Sequence, residues 1–403
     1  MDSFFVGKKI VVGLTGSIAA FKVAGWVSTL SKAEADVEVI MTRGACQFIT
    51  PLSLAALSGK GVHQDMFSGD GQAVMDHIDL VADADIFLIA PASANTIARL
   101  AAGMADDLLT TAVLAARCPV VVCPAMNPNM YSHPATRRNI ATLQEFGYRI
   151  VEPDSGLVAC KQVGQGRLPE WPVVREELAS ELIEQDLRGE KILVTAGPTR
   201  EPLDPARFLG NRSSGKMGYA LATAARRRGG DVILVSGPTA LVAPHGVETI
   251  RVNTAEEMYA RVMENASAAD IIVKSAAVAD FRPENYVEQK VKKEGASMSL
   301  GLARNPDILF ELGKGRRADQ LLVGFAAESE NIVDHGRSKL ERKKLDMIAV
   351  NDISSAQTGF ESDTNQLFVI TEDGVVTLPL TTKNHTANLL LDQMVKHKQD
   401  RVL

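Results

Sequence analysis

The stretch Lys9-Ile10-Val11-Val12-Gly13-Leu14-Thr15-Gly16-Ser17-Ile18-Ala19-Ala20-Phe21-Lys22 decides the fold. Its first four residues read as a buried strand, its glycines as a tight turn, and Ala19, Ala20 and Val23 as the inner face of a helix. Working outward, residues 37–41, 86–90 and 120–123 are further apolar runs of strand length, separated by segments of helical periodicity. Strand–helix alternation of this kind predicts a parallel sheet covered on both faces. The pattern pauses in the charge-rich residues 181–190 and restarts at Lys191-Ile192-Leu193-Val194-Thr195. Apolar runs at 232–235, 271–273 and 321–323 follow, then shorter β-like pieces at 366–370 and 375–380 across the turn Glu372-Asp373-Gly374. The reading is an α/β protein with two nucleotide-type domains in tandem, residues 1–189 and 190–403.

Composition narrows the function. Of 403 residues, 46% are hydrophobic and 23% charged, which supplies ample core and excludes a disordered or collagen-like chain. The 43 basic and 49 acidic side chains are interspersed and give a net charge of −6, so no global field draws nucleic acid or anionic lipid. No apolar run approaches the roughly 18 residues of a membrane helix. The lysines follow the Phe4-Phe5-Val6 patch, the reverse of a secretory signal. Four scattered cysteines make no disulfide framework, and Cys118 and Cys123 lack the partners of a zinc site. The expected home is the cytoplasm.

Ligands of open α/β sheets bind beyond the carboxyl ends of the strands, so those ends carry the functional reading. The Gly13–Lys22 turn can present helix N–H groups to a phosphate. Two residues separate Gly13 from Gly16, so it is not the G-x-G-x-x-G fingerprint, and a plain structural turn fits as well. Pro91-Ala92-Ser93-Ala94-Asn95-Thr96 places small donors where a helix begins, and capping by Ser93 or Asn95 is the alternative. Cys123-Pro124-Ala125-Met126-Asn127-Pro128 ends a third strand. Three small polar loops together predict one pocket for a phosphorylated cofactor. Nearby, His77 lies between carboxylates in Asp76-His77-Ile78-Asp79, either as a functional base or as a surface residue. Cys160 lies in a glycine-containing stretch beside Lys161, either as a reactive thiol on a flap or as a structural cysteine.

Taken together, the Gly16–Lys22 motif, His77, the Pro91–Thr96 motif, Pro124-Ala125-Met126-Asn127 and the Cys160 flap resemble the flavin-dependent cysteine decarboxylases, in particular phosphopantothenoylcysteine decarboxylase, over most of residues 5–180. The resemblance implies a Rossmann-like flavoprotein domain with FMN near Gly16, Ser17, Thr42, Ser93 and Asn95. It implies His77 as the base in oxidising the substrate's cysteine thiol to a thioaldehyde, with FMN as hydride acceptor and later donor. Asn127 would hold the substrate carboxylate, and Cys160 would act as general acid after CO₂ leaves. The implied active site lies between subunits of a trimer, so that His77 serves a neighbour's flavin. One departure is Lys161, where the family often carries Gly; less backbone freedom is expected there.

In the second half, Thr195-Ala196-Gly197-Pro198-Thr199 again follows a strand and leads to Asn211-Arg212-Ser213-Ser214-Gly215-Lys216. Met217 stands where a phosphate loop needs a hydroxyl, which rejects a P-loop NTPase. Lys274-Ser275-Ala276-Ala277-Val278-Ala279-Asp280, Lys290, Asn305-Pro306-Asp307-Ile308, Gly324-Phe325 and a helix with Lys339 and Lys343 follow. Lysines converging on strand ends suit a triphosphate, and solvated helix faces are the alternative. The series resembles phosphopantothenate–cysteine ligase over roughly residues 190–395. That implies a nucleotide-binding ligase domain in which CTP activates the substrate carboxylate as an acyl-cytidylate and cysteine displaces CMP. By position, Asn211 would stabilise the acyl-cytidylate and Lys290 assist. Ser275, Ala276, Asp280, Lys290, Asn305, Pro306, Asp307, Ile308, Phe325, Lys339 and Lys343 would contact CTP, with Mg²⁺ screening its charge through ligands the sequence leaves unknown. The fused pair resembles the bifunctional coenzyme A biosynthesis enzymes of bacteria. It implies 4′-phosphopantothenate, cysteine and CTP as substrates and a dodecamer of trimeric decarboxylase and dimeric ligase domains, with neither nucleic acid nor membrane as partner.

Overall fold

The computed structural model of the chain describes residues 3–67, 76–158, 161–290, 299–353, 359 and 362–402. It forms two compact units, Met1–Glu184 and Gln185–Leu403. The sequence places the seam at residue 189, a few residues further on. Residues 185–190 pack with the second unit because Leu187 is buried in its core, Leu187 N–H donates to Arg228 O at 3.0 Å, and Asp186 pairs with Arg228.

The first unit is built on β1 (Lys9–Leu14), β2 (Asp36–Met41), β3 (Val62–His63), β4 (Ile86–Ala92), β5 (Val120–Pro124) and β6 (Arg149–Ile150). They form one parallel sheet in the order β3-β2-β1-β4-β5-β6. Successive side chains of a strand face opposite ways, and here both faces are dry. Ile10, Val12, Leu14, Ile86 and Leu88 feed one core, while Val11, Phe87 and Ile89 feed the other. The chain reverses its direction of sheet growth between β1 and β4, so a crevice opens beyond their carboxyl ends. An antiparallel hairpin of β7 (Asp154–Leu157) and β8 (Val163–Arg167) follows.

The second unit repeats the plan. Its strands are β9 (Lys191–Ala196), β10 (Arg200–Pro202), β11 (Phe208–Gly210), β12 (Asp231–Ser236), β13 (Glu248–Arg251), β14 (Ile271–Lys274), β15 (Phe281–Pro283) and β16 (Leu302–Arg304). They continue with β17 (Leu321–Glu328), β18 (Met347–Asp352), β19 (Thr364–Asn365), β20 (Leu367–Ile370) and β21 (Val375–Thr377). The main sheet runs β13-β12-β9-β14-β17-β18-β20-β21, parallel up to β18 and antiparallel beyond it. Val194, Val273 and Val323 point into one core, and Leu193, Ile272 and Leu322 into the other. Its switch point lies between β9 and β14. Among the described residues no helix is long and apolar enough to cross a membrane.

Candidate functional sites at the two switch points

Thr15, fully buried just past β1, bolts the first switch point together. Its hydroxyl donates to Pro91 O at 2.6 Å and accepts from Ser93 N–H at 2.8 Å, joining the ends of β1 and β4. Ser93 then caps helix Ala94–Ala101, accepting from Thr96 N–H at 3.3 Å. The first N–H groups of that helix, on Ala94 and Asn95, have no partner within it and border the crevice. Thr42 ties the ends of β1 and β2 in the same way, with its hydroxyl 3.3 Å from Leu14 O.

Two cavities open here, of about 960 and 700 Å³, and share Gly16, Ser93, Ala94 and Met130. The larger also meets Thr42 and Asn95; the smaller meets Ser17, Ala125, Met126 and Asn127. All three strand-end loops singled out in the sequence therefore line one region. At its floor two backbones cross glycine on glycine: a Cβ at Gly44 would lie 3.3 Å from the Gly16 Cα. Orphan helix N–H groups, small hydroxyls and a floor without side chains are what a phosphate and a polyol chain need, so the residues fit FMN.

Asn127 is oriented from both ends. Its Oδ1 accepts from Asn129 N–H at 2.8 Å, and its Nδ2 donates to Gln162 Oε1 at 2.6 Å, on the loop between β7 and β8. Gly166 of β8 presses on the same segment, with Met126 N–H donating to Gly166 O at 3.0 Å. In the loop, Lys161 N–H donates to Val158 O at 2.9 Å, and Lys161 adopts a φ of 60°. That left-handed backbone favours glycine and costs other residues about 1–2 kcal/mol. Lys161→Gly is therefore expected to keep this turn, and with it the decarboxylation that the resemblance implies, and Lys161→Val to lower it. Equal losses in both variants would show that the ammonium, not the backbone, matters.

Not every expected residue gathers here. His77 sits half-buried on the short helix Asp76–Asp79, which packs on helix Leu108–Ala115, and it lines neither cavity. Cys160 lies outside the described residues. The sequence reading passed over Arg99, which borders the larger cavity and binds Asp106 and Asp107 at 2.8 Å. Burial opposes ionisation of Asp107, but Thr110 and Arg99 together hold its carboxyl below the usual range. Asp107 in turn caps helix Leu108–Ala115.

The second switch point is pinned by a matching set of threonines. The Thr195 hydroxyl accepts from Ala276 N–H at 3.1 Å, and the Thr199 hydroxyl from Ala279 N–H at 3.0 Å. Ser275 Oγ donates to Thr195 O at 2.6 Å. Asn211 reaches across from the end of β11, its Nδ2 3.0 Å from Val278 O and 3.3 Å from Ala277 O. Asn305 binds the far side of the same loop, donating to Ala279 O at 2.8 Å and, through its N–H, to Asp280 O at 2.9 Å. Asp307 caps helix Ile308–Gly315 and holds Lys343 at 3.0 Å. Residues 275–280, 305–308 and Lys343 thus converge.

The remaining expected residues make other contacts. Lys339 pairs with Glu328 at the end of β17, Phe325 packs on the core, and Lys290 is exposed at the edge of the described residues. Lys274, quoted in the sequence motif but given no role, is half-buried, and its Nζ donates to Ala276 O at 3.1 Å. Among the described residues no three His, Cys, Asp or Glu side chains cluster to hold a metal ion.

Residues 5–182 match the flavoprotein family, and residues 187–397 match the DNA/pantothenate metabolism flavoprotein C-terminal domain. The chain is thus a flavoprotein unit joined to a pantothenate-metabolism unit. The coenzyme A biosynthesis bifunctional protein CoaBC of Haemophilus influenzae is 43% identical over 394 residues, 98% of this chain and 98% of that protein. Its counterpart from Bacillus subtilis is 45% identical over 371 residues, 91% of each. A crystal structure of the C-terminal domain of a CoaBC protein is 42% identical, with a TM-score of 0.47, and covers 54% of this chain and 100% of that one. The chain belongs to the CoaBC family of bifunctional coenzyme A biosynthesis proteins.

Proposed function

We infer that the second unit uses CTP to join cysteine to 4′-phosphopantothenate, and that the first unit decarboxylates the product to 4′-phosphopantetheine. The observation that carries this reading is the pair of separately pinned switch points, one opening on a cavity lined by Gly16 and Asn127, the other gathering residues 275–280, 305–308 and Lys343. A carboxylate acylates poorly because oxide is a poor leaving group. Attack of the substrate carboxylate on the α-phosphorus of CTP expels pyrophosphate, and the cysteine amine then displaces CMP. Asn211 keeps loop 275–280 in place for that exchange, and Lys290, Lys339 and Lys343 offset the triphosphate charge.

In the first unit, bound FMN supplies a hydride acceptor and donor. His77 takes the proton of the substrate thiol as it is oxidised. Asn127, oriented by Asn129 and Gln162, holds the substrate carboxylate until CO₂ departs, and Cys160 returns a proton to carbon. Because His77 lies away from its own chain's cavities, we assign it to a neighbouring subunit's site in a trimer. With dimeric ligase units this builds a dodecamer, in the cytoplasm, with Mg²⁺ arriving on the nucleotide.

Mass spectrometry after mixing the protein with FMN, 4′-phosphopantothenate, cysteine, CTP and Mg²⁺ tests the reading. The expected product is 4′-phosphopantetheine. Phosphopantothenoylcysteine alone would overturn the assignment of the first unit, and unchanged 4′-phosphopantothenate that of the second.

A further inference from the structure

Helix Pro128–Ser132 borders the first crevice, yet it is only five residues long. A helix this short makes almost no internal hydrogen bonds, so its side chains must fix its direction. On one side Met130 lines both cavities, and Asn127 caps the start of the helix. On the other, Tyr131 is 2% exposed and packs in the core fed by Val11, Phe87 and Ile89. The Tyr131 hydroxyl donates to Glu152 Oε2 and accepts from Arg137 Nη1 at 2.8 Å. Glu152 Oε2 also accepts from Gln165 Nε2 at 3.1 Å, and Gln165 stands on β8. Arg137, on helix Pro134–Glu145, lies 4.0 Å from Glu152, with its guanidinium 5.1 Å from the Tyr131 ring centre. Burial, with the Glu152 carboxylate adding to it, pushes the Tyr131 phenol up, so it remains a donor. One carboxylate thus gathers two helices and the hairpin. Gln162 joins the same hairpin to Asn127 at 2.6 Å, so the short helix is fastened to it at both ends.

We propose that Tyr131 is a positioning residue for decarboxylation: its bond to Glu152, shared with Gln165, locks helix Pro128–Ser132 onto the β7–β8 hairpin and so sets where the Asn127 amide meets the substrate carboxylate. The proposal rests on the reading of Asn127 as the holder of that carboxylate. Tyr131 lines neither cavity, so it acts through the helix and not on the substrate. Without the phenol hydroxyl, Glu152 keeps Arg137 and Gln165 but loses its hold on the helix. The far end of the helix is then free to tilt off the hairpin about Asn127, and a small displacement of an orienting group is costly in rate.

A double-mutant cycle on the full-length holoenzyme, loaded with FMN and supplied with phosphopantothenoylcysteine, tests this. Tyr131→Phe and Glu152→Ala are each expected to lower decarboxylation kcat/KM about tenfold, the scale of one charge-assisted hydrogen bond, with the flavin absorbance spectrum unchanged. Made on top of Asn127→Ala, either substitution is expected to cost less than about twofold more, because the amide it positions is gone. The full loss repeated in that background would make the role merely structural and overturn the proposal. Unchanged kcat/KM in both single variants, or loss of bound FMN in both, would overturn it as well. Glu152 is half-exposed, so Glu152→Ala tests the lock even if Tyr131→Phe does not fold. Asn127→Ala with wild-type activity would remove the reading of Asn127, and the proposal with it, while leaving the decarboxylase reading intact. Wild type that forms no 4′-phosphopantetheine would remove all three. Should Asn127→Ala be too slow to time, Glu152→Gln decides: it keeps an acceptor for the phenol and is expected to hold about half the wild-type rate or more. A loss equal to that of Glu152→Ala would overturn the proposal.

Discussion

Gly166→Ala is expected to cut decarboxylation about 100-fold or more, the usual cost of misplacing a catalytic group by an ångström. A Cβ at this position would lie 2.2 Å from the Met126 carbonyl oxygen, and that oxygen is backbone, which cannot swing aside. Gly164 is nearly as crowded, its Cβ falling 2.8 Å from Pro128 Cβ. The hairpin must therefore lift off residues 126–128, and the Met126–Gly166 hydrogen bond goes with it. Asn127 loses its hold in the same movement, since Gln162 is its partner on that hairpin. Ligation in the same preparation should stay within about twofold, because the second unit has its own cores. Rates of the two half-reactions on one sample check this. Parallel loss of both would mean that the chain had misfolded, and an unaffected decarboxylation rate would mean that the hairpin has no part in the site.

The sheet was legible because strands buried on both faces leave unbroken apolar runs. Residues 86–90 announce β4, whose residues are buried throughout, and residues 10–12 announce β1. Two-residue strands such as β3 and β6 carry no such run, since Val62, His63 and Arg149 are only half-buried. The strand-end loops were legible for a related reason: Gly16, Ser93 and Asn127 stand where a chain leaves a buried strand, and that position faces the crevice. What escaped was the set of buried threonines. Thr15, Thr195 and Thr199 lie inside the quoted motifs, yet a threonine ending a strand looks like an ordinary β-residue. Their bonds to residues roughly eighty positions further on exist only once the two strands are neighbours.

His77 leads to the sharper test of how the first site is completed. Replacing a catalytic base commonly costs 10²–10⁴-fold, so His77→Asn is expected to lose about 1,000-fold of its decarboxylation. Asn127→Ala should fall comparably if it holds the departing carboxylate. Neither variant alone says whether the two residues act from one chain or two. His77 lines neither cavity, whereas Asn127 lines the smaller one, and the trimer proposed above would bring the two together from different chains. Co-folding the two variants in equal amounts decides the matter. If each site joins His77 of one subunit to Asn127 of the next, random assembly leaves roughly a quarter of the sites intact, and decarboxylation should return to about that fraction of wild type. If both act within one chain, every site contains a defect and nothing returns. Ligation, measured alongside, should be unchanged throughout, because neither substitution touches the second unit.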